Sequence, residues 1–353
     1  MTTRTRVVIG GVDTHGRTHH AAVINQHGRL LGDQQFPAQQ AGYRKLLGWL
    51  CRHGVVEAVG VEGTGSYGAG LARFLAQQGV QVLEVSRPDR RTRRQRGKSD
   101  PIDAETAARS VLAGTATATP KRHDGIVEAI RVLRGVRAGA VKARTAAVNQ
   151  LKALLVTAPT PGREALDGLS TPRQVQACAR LRPDLEQLAD PAQASKAALR
   201  ALATRICALD QEISLADERL GTLVGKAAPR LLRLLAIGID HAGQLLVTAG
   251  DNPERLRGEA AFAHLCGVAP IPASSGKTHR HRLHRGGDRG ANRALHLAVV
   301  VRMRYCPRTR AYLERRTKQG LSKPEIMRCV KRYLAREVYH ALVADYEALH
   351  TAT

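Results

Sequence analysis

The stretch AVGVEGTGSYGAGLARFL, Ala58–Leu75, has the order of a short apolar strand, a glycine-rich turn and a helix. Its turn has the spacing G-x-G-x-x-G, formed by Gly63, Gly65 and Gly68. An acidic residue, Glu84, ends the next apolar run about twenty positions further on, which completes the fingerprint of a dinucleotide-binding turn. The stretch therefore has two interpretations: a nicotinamide or flavin site, or a tight turn beside a functional Glu62.

The order of the elements around this turn decides between the two interpretations. Before it, the sequence predicts three strands in residues 6–13 and 18–36, followed by a helix in residues 41–54. A dinucleotide-binding fold places its glycine turn after the first strand, whereas this turn follows the fourth. Three meandering strands, then helix, strand, helix and strand, predict an α/β N-terminal domain with a ribonuclease-H-like (RuvC-like) sheet.

The charge balance favours nucleic acid as the partner. Lysine and arginine total 55 against 30 acidic residues, a formal net charge of +25 at pH 7. Such a field attracts polyanions, and each neutralised phosphate releases counterions, whereas a dehydrogenase has no use for it. Aromatic residues make up 3% of the chain, so base stacking is not expected to be the main binding mode.

The cysteines and the apolar runs predict a cytoplasmic protein. None of the 6 cysteines forms a C-x-x-C pair, so we interpret them as reduced thiols rather than a zinc or redox site. The N-terminus lacks the apolar segment of a signal peptide, and no apolar run approaches the ~18 residues of a membrane span.

Beyond the sheet, the sequence predicts two further regions that are mainly helical. Residues from about 124 to 156 and from about 193 to 223 are rich in alanine, valine, leucine and arginine, which predicts two long helices. We therefore expect an α/β domain over residues 1–118, a helical coiled-coil region for oligomerisation over 119–224, and a mostly α-helical C-terminal domain over 225–353.

Four acidic residues stand where a metal site would need them. Asp13 ends the first strand, Glu62 ends the fourth, and Asp100 and Asp103 begin a helix on one of its faces. A lone aspartate at a strand end is more often a turn former, and acidic residues also favour a helix N-terminus. Clustered carboxylates, however, need a cation or a retained proton. The joint pattern predicts a site for Mg²⁺, with two ions ~4 Å apart acting on a phosphodiester.

A block of basic residues lies between these carboxylates in the sequence, within residues 87–98. It contains seven lysines and arginines in twelve positions: Arg87, Arg90, Arg91, Arg93, Arg94, Arg96 and Lys98. We expect this block to bind the nucleic-acid backbone without reading bases.

A second basic segment, within residues 269–295, carries two serines. Ser274 and Ser275 precede Gly276, and six basic residues follow at Lys277, Arg280, Arg282, Arg285, Arg289 and Arg293. A serine hydroxyl needs activation by a base or a metal, and attack on a phosphate needs cationic stabilisation. From the residues alone, a polar loop with two structural serines is the favoured interpretation. Its histidines, His279, His281 and His284, are interpreted as phosphate contacts, because a cation would be repelled there.

Three segments carry a family resemblance: VGVEGTGSYGAGL, RTRRQRGKSDPIDAETAA and HLCGVAPIPASSGKTHRHRLHRGGDRGANRAL. Together they resemble the insertion-sequence transposases usually called the IS one-ten family, the DEDD transposases with a RuvC-like domain. The resemblance covers nearly the whole chain and is poorest around residues 158–195. It implies that the D-E-D-D carboxylates correspond to Asp13, Glu62, Asp100 and Asp103. It also implies that Ser275, the serine immediately before the glycine, joins DNA covalently.

The resemblance implies further properties that composition and spacing do not. Recombination in the family is guided by a structured non-coding RNA, and several protomers assemble, with serine and carboxylates drawn from different chains. We therefore expect a DNA recombinase that works as a dimer or tetramer. The alternatives are a Holliday-junction resolvase-like nuclease that uses water, which leaves the C-terminal half unexplained, and a non-catalytic nucleic-acid-binding protein, which leaves the four carboxylates without a role.

Overall fold

The computed structural model describes residues 6–85, 99–159, 163–277 and 280–351. The chain divides into two compact units, one of Met1–Glu128 with Ala249–Phe262 and one of Ala129–Thr248 with Ala263–Thr353. Within the described ranges, no helix combines the length and the apolar character needed to cross a membrane.

The first unit is built on a five-stranded mixed sheet. Its strands, in chain order, are β1 Val7–Thr14, β2 Thr18–Asn25, β3 Leu30–Pro37, β4 Val55–Glu62 and β5 Gln81–Val85. The spatial order is β3-β2-β1-β4-β5, in which β1 is antiparallel to β2 and parallel to β4. This is the arrangement expected for a ribonuclease-H-like sheet, so the predicted N-terminal α/β sheet is confirmed.

Three helices cover the two faces of the sheet. Helices α1 (Gln40–His53) and α2 (Ala69–Gln77) bury Leu46 and Leu75 against one face, where Val8 and Val12 of β1 point. Helix α3 (Asp100–Leu112) covers the other face, and its Ala108 packs with Ile9 and Ile24. Because side chains alternate along a strand, odd-numbered residues of β1 face α3.

Two glycines let α3 lie directly on the strands that carry the candidate carboxylates. A Cβ atom at Gly11 of β1 would lie 2.2 Å from the carbonyl oxygen of Ala104, and one at Gly60 of β4 would lie 2.9 Å from that of Ala107. Neither backbone oxygen can move without moving the helix. Any side chain larger than hydrogen would therefore push α3 away from the sheet.

The glycine turn after β4 is a tight turn that reverses the chain into α2. Gly63 has a φ of 67°, a conformation that favours glycine, and its carbonyl accepts from Ser66 N at 2.8 Å and Gly68 N at 3.0 Å. A Cβ atom at Gly68 would lie 2.8 Å from the carbonyl oxygen of Glu62. The glycines thus pack the turn closely against the end of β4.

A late segment of the chain completes the first unit. Residues Ala249–Phe262 belong to it although the rest of the unit ends at Glu128. Asp251 Oδ1 accepts from Val127 N at 3.1 Å, and Arg255 Nη1 donates to the carbonyl oxygen of Thr119 at 2.7 Å. No sequence signal predicted this return.

The second unit is mainly helical. Its elements, some of which begin or end in the first unit, are α4 Ile126–Thr157, α5 Thr171–Ala179, α6 Pro191–Ala227, α7 Pro229–Leu232, α8 Ile239–Ala249, α9 Glu259–Leu265, β6 Ile271–Pro272, β7 His281–Arg282, α10 Arg289–Tyr305, α11 Pro307–Lys318 and α12 Lys323–Thr351. The predicted helical character of this part of the chain is confirmed.

The two long helices run antiparallel. Arg137 of α4 forms an ion pair with Asp217 of α6, and Arg144 forms one with Asp210. The residue number rises along α4 while that of its partner falls along α6, as antiparallel helices require. At the far end, Leu151 of α4 and other apolar side chains of α4, α5 and α6 share one buried cluster. The coiled-coil oligomerisation region over residues 119–224 stays a prediction, as do the three domain boundaries.

Candidate metal centre and serine hairpin

The ends of β1 and β4 bring two of the predicted carboxylates side by side. The strand register pairs Val12 with Val61, so the next residues, Asp13 and Glu62, are neighbours at the carboxyl ends of two parallel strands. Both lie two residues beyond the glycines that contact α3, so both side chains leave the sheet on the α3 face. Thr14 Oγ1 donates to the Glu62 carbonyl oxygen at 2.8 Å, which ties the two strand ends together.

The first turn of α3 supplies the other two carboxylates. Ser99 occupies the N-cap position with extended backbone, without a capping hydrogen bond from its side chain, and Pro101 lies in the first turn. Asp100 and Asp103 follow in the same turn, where the helix dipole favours negative charge. Asp103 is 7% exposed, as is Asp13 on the strand beneath.

A histidine that was not among the predicted site residues joins the carboxylates. His15 Nε2 lies 3.1 Å from Asp13 Oδ2 and 3.3 Å from Asp100 Oδ1. One ligand atom from each of these three residues falls within 4.8 Å of the others. The signal that could have found it is the D-x-H spacing, because residues two apart at a strand end emerge on the same side.

The electrostatics of this group fit a cation. The pKa of Asp13 is raised, first by burial and then by the charges of Asp100 and Asp103, while His15 acts in the opposite direction. Ionised Asp13 is therefore unfavourable without a positive partner. Carboxylate oxygens with one open, solvent-facing side are a donor set that hard divalent cations accept. Among the described residues, the group whose donor atoms lie within 4.8 Å of one another does not include Asp103 or Glu62, which is half-buried at the end of β4.

The two serines lie on a β-hairpin, a feature that the mostly helical prediction did not contain. Ile271 of β6 pairs with Arg282 of β7, and Ala273 N donates to the Arg280 carbonyl oxygen at 2.9 Å. The described residues of the connection include Ser274 and Ser275, which lie at the tip of the hairpin and are both exposed.

The two serines differ in their surroundings at this tip. Ser274 Oγ accepts a hydrogen bond from Arg280 N at 3.3 Å, which gives this hydroxyl a place in the hairpin's own structure. Gly276, directly after Ser275, has a φ of 54°, so the chain turns sharply at the position next to Ser275. Thr278 and His279 lie outside the described residues.

The base of the hairpin is fixed to the helices behind it. Asn292 of α10 donates to the carbonyl oxygens of Cys266 and Gly267, at 3.2 and 2.8 Å, and accepts from Lys331 Nζ of α12 at 3.0 Å. A Cβ atom at Gly287 would lie 2.1 Å from Gly267 N, so the two arms of the loop cross in close contact. The hairpin thus projects from a packed base.

A basic groove lies between the hairpin and α12. It encloses about 720 Å³. Five of the side chains that line it are basic: Arg280, Arg282, Arg328, Lys331 and Arg332. Tyr333 also lines the groove and is 56% exposed. Arg280 and Arg282 were predicted from the sequence, whereas the three basic residues of α12 were missed, because they reach the hairpin only through the fold.

The other predicted basic residues divide into two sets. Those of the serine segment that are described are exposed: Lys277, Arg285, Arg289 and Arg293. The block from Arg87 to Lys98 lies outside the described residues.

Two sequence-family models match the chain. The DEDD transposase model of IS110 matches residues 10–158, and the transposase model of the IS116/IS110/IS902 family matches residues 228–314. Together the matches span about two thirds of the chain. The chain belongs to the IS110 family of transposases. The first match contains all four candidate carboxylates of this transposase, and the second contains both serines.

Relatives of this transposase are proteins of bacterial insertion elements. A protein of insertion element IS900 from Mycobacterium paratuberculosis is 24% identical over 98% of this chain and 98% of its own length. A protein of IS110 from Streptomyces coelicolor is 34% identical over 26% of this chain and 23% of its own length. A mini-circle putative transposase for IS117 from the same species is 30% identical over 42% of this chain and 37% of its own length. Membership of a transposase family means that the partner is DNA and that the activity includes DNA cutting. The nicotinamide or flavin interpretation is therefore excluded.

Proposed function

We propose that this IS110-family transposase cuts and rejoins DNA through a covalent bond between Ser275 and a DNA phosphate, with divalent cations held by Asp13, Glu62, Asp100 and Asp103. The observation that carries the proposal is the buried Asp13 carboxylate, which lies at a strand end among further acidic groups. Such a cluster has a high electrostatic cost as a purely structural feature. We take the cation in the cell to be Mg²⁺, which matches the oxygen-rich donor set.

The reaction we propose balances as a transesterification. The Ser275 oxygen forms a bond to phosphorus, one bridging P–O bond of the DNA breaks, the serine proton leaves to solvent, and the departing deoxyribose oxygen takes up a proton. Attack by a deoxyribose hydroxyl on the serine ester reverses these steps and rejoins DNA. Bound cations supply Lewis-acid stabilisation of the phosphate charge.

The residues around Ser275 have roles that follow from their positions. The hairpin presents the serine at an exposed tip, and Ser274 holds the turn through its contact with Arg280. The basic residues neutralise phosphate charge as DNA approaches. These are Lys277, Arg280, Arg282, Arg285, Arg289 and Arg293. From its charge alone, we propose the block of Arg87, Arg90, Arg91, Arg93, Arg94, Arg96 and Lys98 as a second contact region.

The family resemblance supports the remaining parts of the proposal. A structured non-coding RNA guides the choice of DNA, and the protein acts as a dimer or tetramer in the cytoplasm, at the nucleoid. We assign the metal-binding role to residues 1–118, oligomerisation to 119–224 and the serine chemistry to 225–353.

The competing function is a metal-dependent nuclease that uses water. A serine mechanism passes through a protein–DNA ester that survives denaturation, whereas a water-using nuclease leaves no adduct. Incubating the protein with guide RNA, target DNA and Mg²⁺ should therefore produce a shifted band on a denaturing gel. Ser275→Ala should remove this band, and Ser274→Ala, the matched control, should retain it.

The same gel separates the alternatives. DNA cleavage by Ser275→Ala without an adduct would favour the water-using nuclease. An adduct that is lost only in Ser274→Ala would keep the mechanism and move the nucleophile by one residue.

A further inference from the structure

We propose that His15 is a metal ligand, so that the cation bound by Asp13 and Asp100 has one nitrogen donor among its oxygens. This role rests on the metal centre of the proposed function and adds a residue outside the four carboxylates. It predicts that the centre binds Mn²⁺ more tightly than Mg²⁺.

The distances between the donor atoms fit a shared cation. His15 Nε2 lies 3.1 Å from Asp13 Oδ2 and 3.3 Å from Asp100 Oδ1. Two ligands at right angles on an octahedral ion, each about 2.1 Å from it, are about 3 Å apart. The imidazole nitrogen therefore already stands at the separation that a shared cation requires.

Three elements of the chain bring these donor atoms together. His15 N donates to the Thr18 carbonyl oxygen at 3.0 Å, which fixes the backbone of the turn between β1 and β2. Asp13 is held in β1 beneath α3, and Asp100 begins that helix. A strand end, a turn and a helix start thus converge on one point from three directions, and the side chains of His15 and Asp100 are 47% and 45% exposed, which leaves access from solvent.

The other account of these contacts is that a protonated His15 takes the place of a cation and forms ion pairs with both carboxylates. The two accounts differ in what happens when metal is added. As an ion-pair partner, His15 would be displaced by the metal, whereas as a ligand it would bind the metal directly through Nε2.

The nitrogen donor has a chemical consequence. Imidazole suits transition metals better than it suits Mg²⁺, which prefers oxygen ligands and keeps its waters. A centre that contains His15 should therefore bind Mn²⁺ more tightly than Mg²⁺. Loss of the imidazole should weaken the binding of Mn²⁺ more than the binding of Mg²⁺.

Mn²⁺ provides a direct readout because it is paramagnetic. Electron spin-echo modulation of the full-length protein with one equivalent of Mn²⁺ should contain a ¹⁴N frequency from the coordinated imidazole. His15→Gln should lose this frequency and bind Mn²⁺ roughly tenfold more weakly, since even the outer-shell partners of metal ligands contribute that much. The matched control is His27→Gln, an exposed histidine in the turn after β2, at the end of the sheet opposite to Asp13. This variant should keep both the signal and the affinity.

The outcomes separate the role of His15 from the metal centre itself. Mn²⁺ binding without a ¹⁴N frequency, or a frequency that persists in His15→Gln, would overturn the role of His15 and leave the carboxylate centre standing. If the wild-type protein binds Mn²⁺ no better than Asp13→Asn does, this result overturns the metal centre itself. If His15→Gln does not fold, wild-type protein labelled with ¹⁵N-histidine shows whether the nitrogen ligand is a histidine, and His15 is the histidine of the described cluster. An unchanged ¹⁴N frequency in the labelled protein would overturn the role of His15.

Discussion

At Asp13, burial and neighbouring negative charges both act against the ionised carboxylate. Its pKa lies above the ordinary value of 3.8, because burial and the neighbouring Asp100 and Asp103 disfavour the ionised form. For an acidic group with a raised pKa, the stabilisation from the protonated form is complete below 3.8 and is lost as the pH rises through the folded-state pKa. At neutral pH, ionised Asp13 therefore lowers the stability of the metal-free protein.

This conflict predicts an unusual stability effect. In metal chelator at pH 7, Asp13→Asn should have a higher Tm than the wild type, because the amide carries no charge, and the difference should disappear in acid. Added Mg²⁺ should raise the Tm of the wild type and leave that of the variant unchanged. Thermal unfolding followed by circular dichroism measures both effects.

The control for this prediction is Asp33→Asn, an exposed carboxylate that pairs with His20 outside the cluster. It should not raise the Tm in chelator. A lower Tm for Asp13→Asn than for the wild type under the same conditions would contradict the electrostatic account of the centre.

At the scale of elements, the contact between α3 and the sheet holds the carboxylates in position. Gly11 meets the backbone of Ala104 and Ala108, so Gly11→Ala must displace the helix that carries Asp100 and Asp103. We expect it to lower the free energy of unfolding by about 1–3 kcal/mol or more, as overpacking does, and to weaken Mn²⁺ binding. Urea denaturation and metal titration measure the two effects.

Gly65→Ala is the matched control, since a Cβ atom there meets nothing within 4 Å. It should change the stability by less than about 0.5 kcal/mol. Equal stability for the Gly11 and Gly65 variants would show that α3 is not held by this close approach.

The serine hairpin and α12 form the second element-scale unit, with the basic groove between them. Replacing Arg328 and Arg332 together by alanine should weaken DNA binding and flatten the plot of log affinity against log salt by about 0.9 for each phosphate that is no longer neutralised. Fluorescence anisotropy over a salt series gives this slope. The double variant of Arg200 and Arg205, exposed basic residues of α6, removes the same charge elsewhere and should leave the slope nearly unchanged. Equal changes of the slope in the two double variants would mean that DNA does not bind preferentially at the groove.

At the scale of the whole molecule, the family resemblance implies that one chain supplies the serine and another the carboxylates. If so, Asp13→Asn and Ser275→Ala proteins should each be inactive in recombination, while a mixture allowed to exchange protomers should recover part of the activity. The recovered activity should depend on protein concentration, because it needs mixed oligomers. A mixture as inactive as its components, with exchange demonstrated by subunit labelling, would show that each chain uses its own serine and carboxylates.

The sequence by itself determined the order of the sheet, because strand periodicity and turn glycines are local patterns: the position of the G-x-G-x-x-G turn after the fourth strand was enough to exclude a dinucleotide-binding fold. It also placed Asp13 and Glu62 at strand ends and Asp100 and Asp103 at a helix start, since such positions can be recognised from neighbouring residues. Only the tertiary structure brought His15 to Asp100 and returned Ala249–Phe262 to the first unit. His15 and Asp100 are about 85 positions apart, and Ala249–Phe262 lies about 120 positions beyond the rest of the first unit. Such contacts are set by packing, for example by the close approach of α3 to Gly11 and Gly60, and not by local periodicity. The groove beside the serine hairpin also depends on the tertiary structure. The basic residues of α12 line it together with those of the hairpin, although the two segments are far apart in the sequence.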